Sequence, residues 1–236
     1  GEPPPSIGGP VVGGHVAEVR PAIEAWLWDA TWPAQPGPSH EIWVPSTYAL
    51  AGASRTAMVP VACVPFPAGV VAPSLASRYA LGLPGDGPLC AVVADDFTVD
   101  RLDLDATCRA FIGAVADWPA PQPLLVVGVP DAALAARVET LLQETMGASP
   151  AILVRSFAEA DLIQLLRLSD VYVALHGEIA WDPWLAQALW HGRPAITTGA
   201  AGTIDLATPN TSYLVRCQRT PEGARADVAH AAAQLR

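Results

Sequence analysis

The sequence contains no lysine: its 13 basic residues are all arginines, against 23 acidic ones. The resulting net charge of −10 argues against nucleic acid or an anionic membrane surface as a partner. The missing lysine itself reads as a compositional bias of the source, such as a GC-rich genome. Cysteine is scarce as well. Cys63, Cys90, Cys108 and Cys217 stand singly, without metal-ligand spacing, which argues against a zinc module and against a disulfide framework. Three of them lie inside apolar runs, where a thiol behaves as a small hydrophobe, so free thiols in a reducing cytoplasm are expected. The histidines, His15, His40, His176, His191 and His230, form no metal-spaced pair. No apolar run approaches the length of a membrane span, and no basic, apolar, small-residue leader marks a signal peptide. Gly-x-Ser-x-Gly, phosphate-loop and His-Glu-x-x-His motifs are all missing. Gly9, Gly13 and Gly14 follow no strand, so a dinucleotide fingerprint fails on context. Neither a metal nor a cofactor is expected.

What is present is apolar substance. With 51% hydrophobic and 15% charged residues, disorder is excluded, and 236 residues allow one large or two small domains. Residues 1–14 are rich in proline and glycine and read as a mobile lead-in. Residues 21–32 carry Trp26, Trp28 and Trp32, expected with Trp43 to be buried in packing, with ligand stacking as the alternative. A strand over Glu41–Val44, a short helix, and an edge strand or connector over Val59–Pro65 follow, the prolines barring a central position. Ala68–Pro73 reads as a linker and Leu75–Leu81 as a short helix. From Pro88 onward short apolar runs alternate with amphipathic segments. The pattern predicts strands at 89–94, 124–129, 151–154, 171–175, 195–198 and 213–216, and helices at 104–118, 131–146 and 158–168. Thr220–Arg236 is predicted as a closing amphipathic helix. Such alternation specifies an α/β fold, a Rossmann-like parallel sheet with helices on both faces.

The chain is organised around residues 169–215. Val171–Leu175 is a buried strand, Pro183 opens a helix that Gly192 ends, Ala195–Thr198 is a second strand, and Gly199–Gly202 turns the chain. Ligands of a parallel sheet sit at the carboxyl ends of its strands. Here those ends are His176-Gly177-Glu178 and Gly199–Gly202. His176 is a candidate functional residue, Glu178 a second. Asp95-Asp96, ending the first regular strand, reads either as a metal or sugar-hydroxyl ligand or as a solvated strand end.

The wording of these segments resembles the GT-B glycosyltransferases of the group 1 type, particularly bacterial members linked to surface polysaccharide biosynthesis. IEAWLWDATWP, HEIWVPSTY and VACVPFP are similar to the end of that family's N-terminal domain and its interdomain crossing. SDVYVALH, GRPAITTG and TPNTSYLV are similar to its donor-domain motifs, in the same order. The match runs from about Ile23 to Val215. It implies a lead-in at 1–14, a remnant of the N-terminal domain at 15–74, and a donor-type domain at 75–236. It further implies nucleotide-sugar contacts from Arg101, His176, Gly177, Glu178, Gln187, Gly202 and Thr203, with transfer to a cell-surface glycan acceptor.

Within the resemblance, the family's donor-phosphate motif Arg-Lys-Asn-Pro falls on Arg101-Leu102-Asp103-Leu104. Its paired glutamates fall on Ile179 and Gln187, with Glu178 one place early, and an arginine falls on Gly177. The alternative to an enzyme is therefore a non-catalytic module that binds a glycan or a protein. Because residues 15–68 match only the last part of an N-terminal domain, the chain reads as a fragment, as a shortened form, or as one completed by a second copy or another partner.

Overall fold

The computed structural model describes residues 42–55, 57–220 and 223–236. Residues 1–14 and Trp26, Trp28 and Trp32 lie outside them; Trp43 is half-buried. The described residues begin with a small βαβ unit. Strand β1 (Ile42–Val44) leads through helix α1 (Thr47–Ala53) to β2 (Val61–Cys63), which pairs parallel to β1 with Ile42 opposite Val61. Ser46 starts α1 because its side chain accepts from the Ala49 N–H at 3.1 Å.

The main domain follows as β3 (Leu89–Val93), α2 (Leu104–Val115), β4 (Leu124–Val129), α3 (Ala132–Met146), β5 (Ile152–Ser156) and α4 (Glu159–Leu168). It continues as β6 (Val171–Ala174), α5 (Pro183–Trp190), β7 (Ala195–Thr198), α6 (Thr203–Leu206) and β8 (Ser212–Val215). The sheet order is β5-β4-β3-β6-β7-β8, all parallel, with helices on both faces. This explains why the central strands β3, β4 and β6 are apolar throughout rather than alternating: both sheet faces are covered there. Every residue of β3 and β7 is buried. The six predicted strands are found within one or two residues of their expected ends.

Helix boundaries follow local chemistry. Asp103 and Asp131 cap α2 and α3, accepting from Ala106 N at 2.9 Å and Leu134 N at 2.8 Å. In α4, Glu159 and Asp161 occupy the first turn and Arg167 the last, in the sense the helix dipole favours. Cys90 and Cys108 are buried, and burial pushes both thiols up to about 12, so they are packing groups. All four cysteines are free.

Two expectations are corrected. Leu75–Leu81 forms no helix; a hydrogen-bonded turn spans 78–82 instead. Leu75 and Tyr79 are each 89% exposed while Leu81 at the segment's end enters the core, so the apolar residues do not share one face, and a helix that short needs one. Gln164 also holds the Ala76 carbonyl at 2.7 Å, tying the segment to α4. The predicted helix over Thr220–Arg236 is shorter and is preceded by an antiparallel hairpin of β9 (Cys217–Thr220) and β10 (Gly223–Ala226). Gly223 adopts φ +124°, a value that side chains rarely tolerate, and the turn interrupts helical geometry there. Helix α7 (Val228–Gln234) starts only where Asp227 accepts from His230 N at 2.9 Å, and it packs on α2.

The small unit is fastened to the main domain. Thr47 donates to Asp205 of α6 through its backbone N–H, and through its hydroxyl at 2.8 Å. Ile42, Val44, Ala49 and Ala53 share a core cluster with Ala180, Trp181 and Ala186.

Phe111 of α2 is fully buried in the main core. Phe111→Ala is expected to lower the unfolding free energy by about 3–5 kcal/mol in urea melts, whereas Leu141→Ala, at a half-exposed site, costs less than about 1 kcal/mol.

Candidate functional site

The sheet reverses direction between β3 and β6. From β3 the chain builds outward to β4 and β5, then returns to the other side of β3 and builds outward again to β8. Such a reversal opens a crevice at the carboxyl ends of the two strands, because their onward connections leave to opposite sides. In this chain Asp95 follows β3, and His176-Gly177-Glu178 follows β6.

Asp95 is spent on structure. Its Oδ1 accepts from the backbone N–H groups of Phe97 (3.0 Å) and Thr98 (2.8 Å) and from the Thr98 hydroxyl (2.9 Å). Its Oδ2 accepts from the Trp184 indole N–H at 2.8 Å. It thus shapes the loop leaving β3 and ties it to α5, while Asp96 is exposed. Among the described residues no group of three or more His, Cys, Asp or Glu could hold a metal ion.

The loop that Asp95 shapes returns across the end of β6. Asp103 N–H donates to the Leu175 carbonyl at 2.7 Å, Leu102 bridges to His176, and Gly177 N–H donates to the Arg101 carbonyl at 2.9 Å. Arg101 is therefore held beside His176 and Gly177, half-buried, and it forms no ion pair among the described residues. The hairpin closes the other side. Ala224 N–H donates to the Gly177 carbonyl at 2.7 Å, and Gly223 stands so near Glu178 that a Cβ there would lie 3.0 Å from the Glu178 Cβ.

The glycine turn after β7 docks on the same loop. Gly202 N–H donates to the Ile179 carbonyl at 2.8 Å, and a Cβ at Gly202 would lie 1.8 Å from the Ala180 carbonyl oxygen, so only glycine fits. Thr203 is buried, its hydroxyl donating to the Thr198 carbonyl at 2.6 Å to close the turn. Gln187, on α5, is half-buried, and its Oε1 accepts from the Gly69 N–H at 3.1 Å. Beside that contact, Phe66 meets Trp181 edge to face with centroids 5.9 Å apart. Of the seven candidate residues, then, Arg101, His176, Gly177 and Glu178 are gathered at the switch-point crevice. Gly202 and Thr203 adjoin it through Ile179 and Ala180, and Gln187 stands under the linker.

One residue escaped the sequence reading. Asp182 was legible only as the place where the helical segment of α5 begins, yet its side chain is hydrogen-bonded to His176 Nε2 at 2.8 Å, both side chains being buried. The signal available was a histidine at a strand end and an aspartate at the next helix start. That spacing becomes meaningful only once the loop between them is known to fold back.

Burial raises the Glu178 carboxyl above its ordinary 4.5. A group raised in the folded state favours its protonated form there. Its contribution is fully present below the unfolded value and is lost as pH rises through the folded one. Glu178→Gln is accordingly expected to match the parent below the carboxylate range and to become the more stable of the two as pH rises through it, read from thermal melts across that interval.

Compared with known proteins, the sequence matches no protein-family model and no curated protein. Its structure does have neighbours. Sucrose-phosphate synthase from Thermosynechococcus elongatus aligns with a TM-score of 0.59 at 20% identity, over 82% of this chain and 47% of that one. Anabaena Alr3699/HepE, solved with UDP and glucose, gives 0.61 at 14% identity over 92% and 56%. S. aureus TarM, solved as a mutant with UDP, α-GlcNAc-glycerol and Fondaparinux, gives 0.60 at 6% identity over 83% and 36%. The chain thus spans roughly half or less of the neighbours' own length. At these identities the likeness is one of architecture, and over the part it covers the chain has the fold of the GT-B glycosyltransferases.

Proposed function

We propose that the protein is a glycosyltransferase-related protein of the group 1 type, moving a sugar from a nucleotide donor to a cell-surface glycan acceptor. The observation that carries this reading is the switch-point crevice, with a buried histidine at its edge and an arginine that forms no ion pair among the described residues, in a fold shared with nucleotide-sugar enzymes. The chemistry asked of such a site is electrostatic: the leaving nucleoside diphosphate must be stabilised by cations and helix N-termini rather than by a covalent intermediate. Arg101 is the residue assigned to the diphosphate. His176, Gly177, Glu178, Gln187, Gly202 and Thr203 are assigned to the rest of the donor. We further assign residues 75–236 to the donor-type domain and 15–74 to the end of an N-terminal domain. A cytoplasmic location fits four free thiols; among the described residues no helix is long and apolar enough to cross a membrane.

A second reading, a non-catalytic module binding a glycan or a protein, has its own observation. Leu102, Gly177 and Ile179 supply no charge, and the Gln187 acceptor is engaged by Gly69. An amide in place of a ribose-binding carboxylate costs roughly 1–2 kcal/mol, and a missing cation more, because a facing phosphate charge is then unpaired. Each 1.4 kcal/mol is about tenfold in affinity.

Calorimetry with UDP-, GDP- and dTDP-sugars separates the two. The donor reading expects weak binding of at least one, with a dissociation constant on the order of millimolar, lost in Arg101→Ala and in His176→Ala. The absence of binding for every donor would favour the module. Low-micromolar binding abolished by the same variants would show that the substituted motif positions matter little.

A further inference from the structure

Asp182 is the hub of a buried polar network. Its Oδ1 accepts from the backbone N–H groups of Trp184 (2.9 Å) and Leu185 (3.0 Å), capping α5. Its Oδ2 lies 3.2 Å from the Tyr172 hydroxyl and 2.8 Å from His176 Nε2. The side chains of His176 and Asp182 are 2% and 0% exposed. Burial and the nearby Asp182 charge hold the Tyr172 phenol well above its ordinary value, so it keeps its proton and donates. A carboxylate only accepts, so the second donor to Oδ2 must be His176 Nε2–H. In the neutral ring Nδ1 then carries a lone pair. That atom is buried and has no hydrogen-bond partner among the described residues. A buried acceptor without a donor is costly, and such orphans concentrate at working sites.

We infer that Asp182 is a positioning residue that locks His176 as the Nε2–H tautomer, leaving Nδ1 to accept a hydrogen bond from a hydroxyl of the bound nucleotide sugar. The hydroxyl half of this inference rests on the donor reading above. The tautomer also decides which part of a donor the ring can meet. A lone pair repels a phosphate oxygen and welcomes an O–H, so His176 serves a sugar or ribose hydroxyl while Arg101 serves the diphosphate. The main chain at His176 and Gly177 is paired with Leu102, Arg101 and Ala224, so ligand entry displaces the Arg101–Leu102 loop or the hairpin.

The test is long-range proton–nitrogen NMR on the full chain labelled at histidine nitrogen, with His176 assigned by His176→Gln. At neutral pH the parent should show His176 protonated at Nε2 and bare at Nδ1. In Asp182→Asn, the two capping N–H groups claim the amide oxygen, which turns the NH2 toward His176. That NH2 donates to Nε2 and moves the ring proton to Nδ1, inverting the tautomer while α5 stays capped. UDP and UDP-glucose are then titrated into the parent, which needs no variant to fold. UDP-glucose should perturb the Nδ1 resonance, and its affinity should fall about tenfold in Asp182→Asn; a response to UDP alone assigns the contact to ribose. A parent ring protonated at Nδ1, or an Asp182→Asn ring still protonated at Nε2, overturns the tautomer assignment. Binding that leaves the Nδ1 resonance unmoved overturns the hydroxyl contact. If neither probe binds, the GDP- and dTDP-sugars are titrated in the same way; binding by none of them makes the donor reading fail and takes the hydroxyl contact with it, while the tautomer is decided by the first two results.

Discussion

The pairing of β3 with β6 is the constraint from which the rest of the site follows. The two strands share only the register Cys90–Val171 and Ala91–Tyr172 before they part, so their carboxyl ends diverge. Into that gap the loop after β3 folds back, held by Asp95 on one side and by the main chain of Leu175–Gly177 on the other. The loop after β6 then has to run beneath it, and this brings Asp182 back under His176. Were β6 to pair instead at the outer edge of β5, the end of β3 would face no partner loop. Arg101 would then have no fixed relation to His176.

The strands were legible because burial on both faces demands continuous apolar runs, and few other arrangements use such runs so regularly. The helix starts at Asp131 and Asp182 were legible for a local reason, since capping involves only neighbours in sequence. His176 was legible from its place at a strand end. What could not be read were the contacts made across the fold. Nothing local to Leu75–Leu81 says that Leu75 and Tyr79 will find no surface to cover, or that Gln164 will claim a carbonyl there. The periodicity of the carboxyl-terminal segment held over Val228–Gln234, but the turn at Gly223 set the hairpin apart. The double duty of Asp182 was hidden in the same way, because a cap and a histidine partner look alike in sequence.

Among the described residues, the amino-terminal unit is a two-stranded piece of sheet ordered by its packing on the main domain. Two three-residue parallel strands make too few hydrogen bonds and bury too little to stand alone. Here Ile42 and Val44 reach apolar company in Ala180, Trp181 and Ala186, which belong to the crevice loop and α5. The loop that carries the candidate site therefore has apolar packing on one side and the glycine turn at Gly202 on the other. Its backbone has little room to wander, and a fixed loop is what a buried His–Asp pair requires.

Gln187 is where the two functional readings meet in one atom. A carboxylate at this position would offer charge and acceptor capacity enough for two ribose hydroxyls. The amide offers a single oxygen, and that oxygen holds the Gly69 N–H of the linker. The contact is neutral and half-exposed, so its net worth is only about 0.5–1.5 kcal/mol. On the donor reading proposed above, a ribose hydroxyl would use the second lone pair of that oxygen, beside the linker N–H and without the charge a carboxylate adds. On that same reading, the affinity lost with a carboxylate at this position has to come from elsewhere in the crevice, and Arg101 and His176 are the groups assigned to supply it.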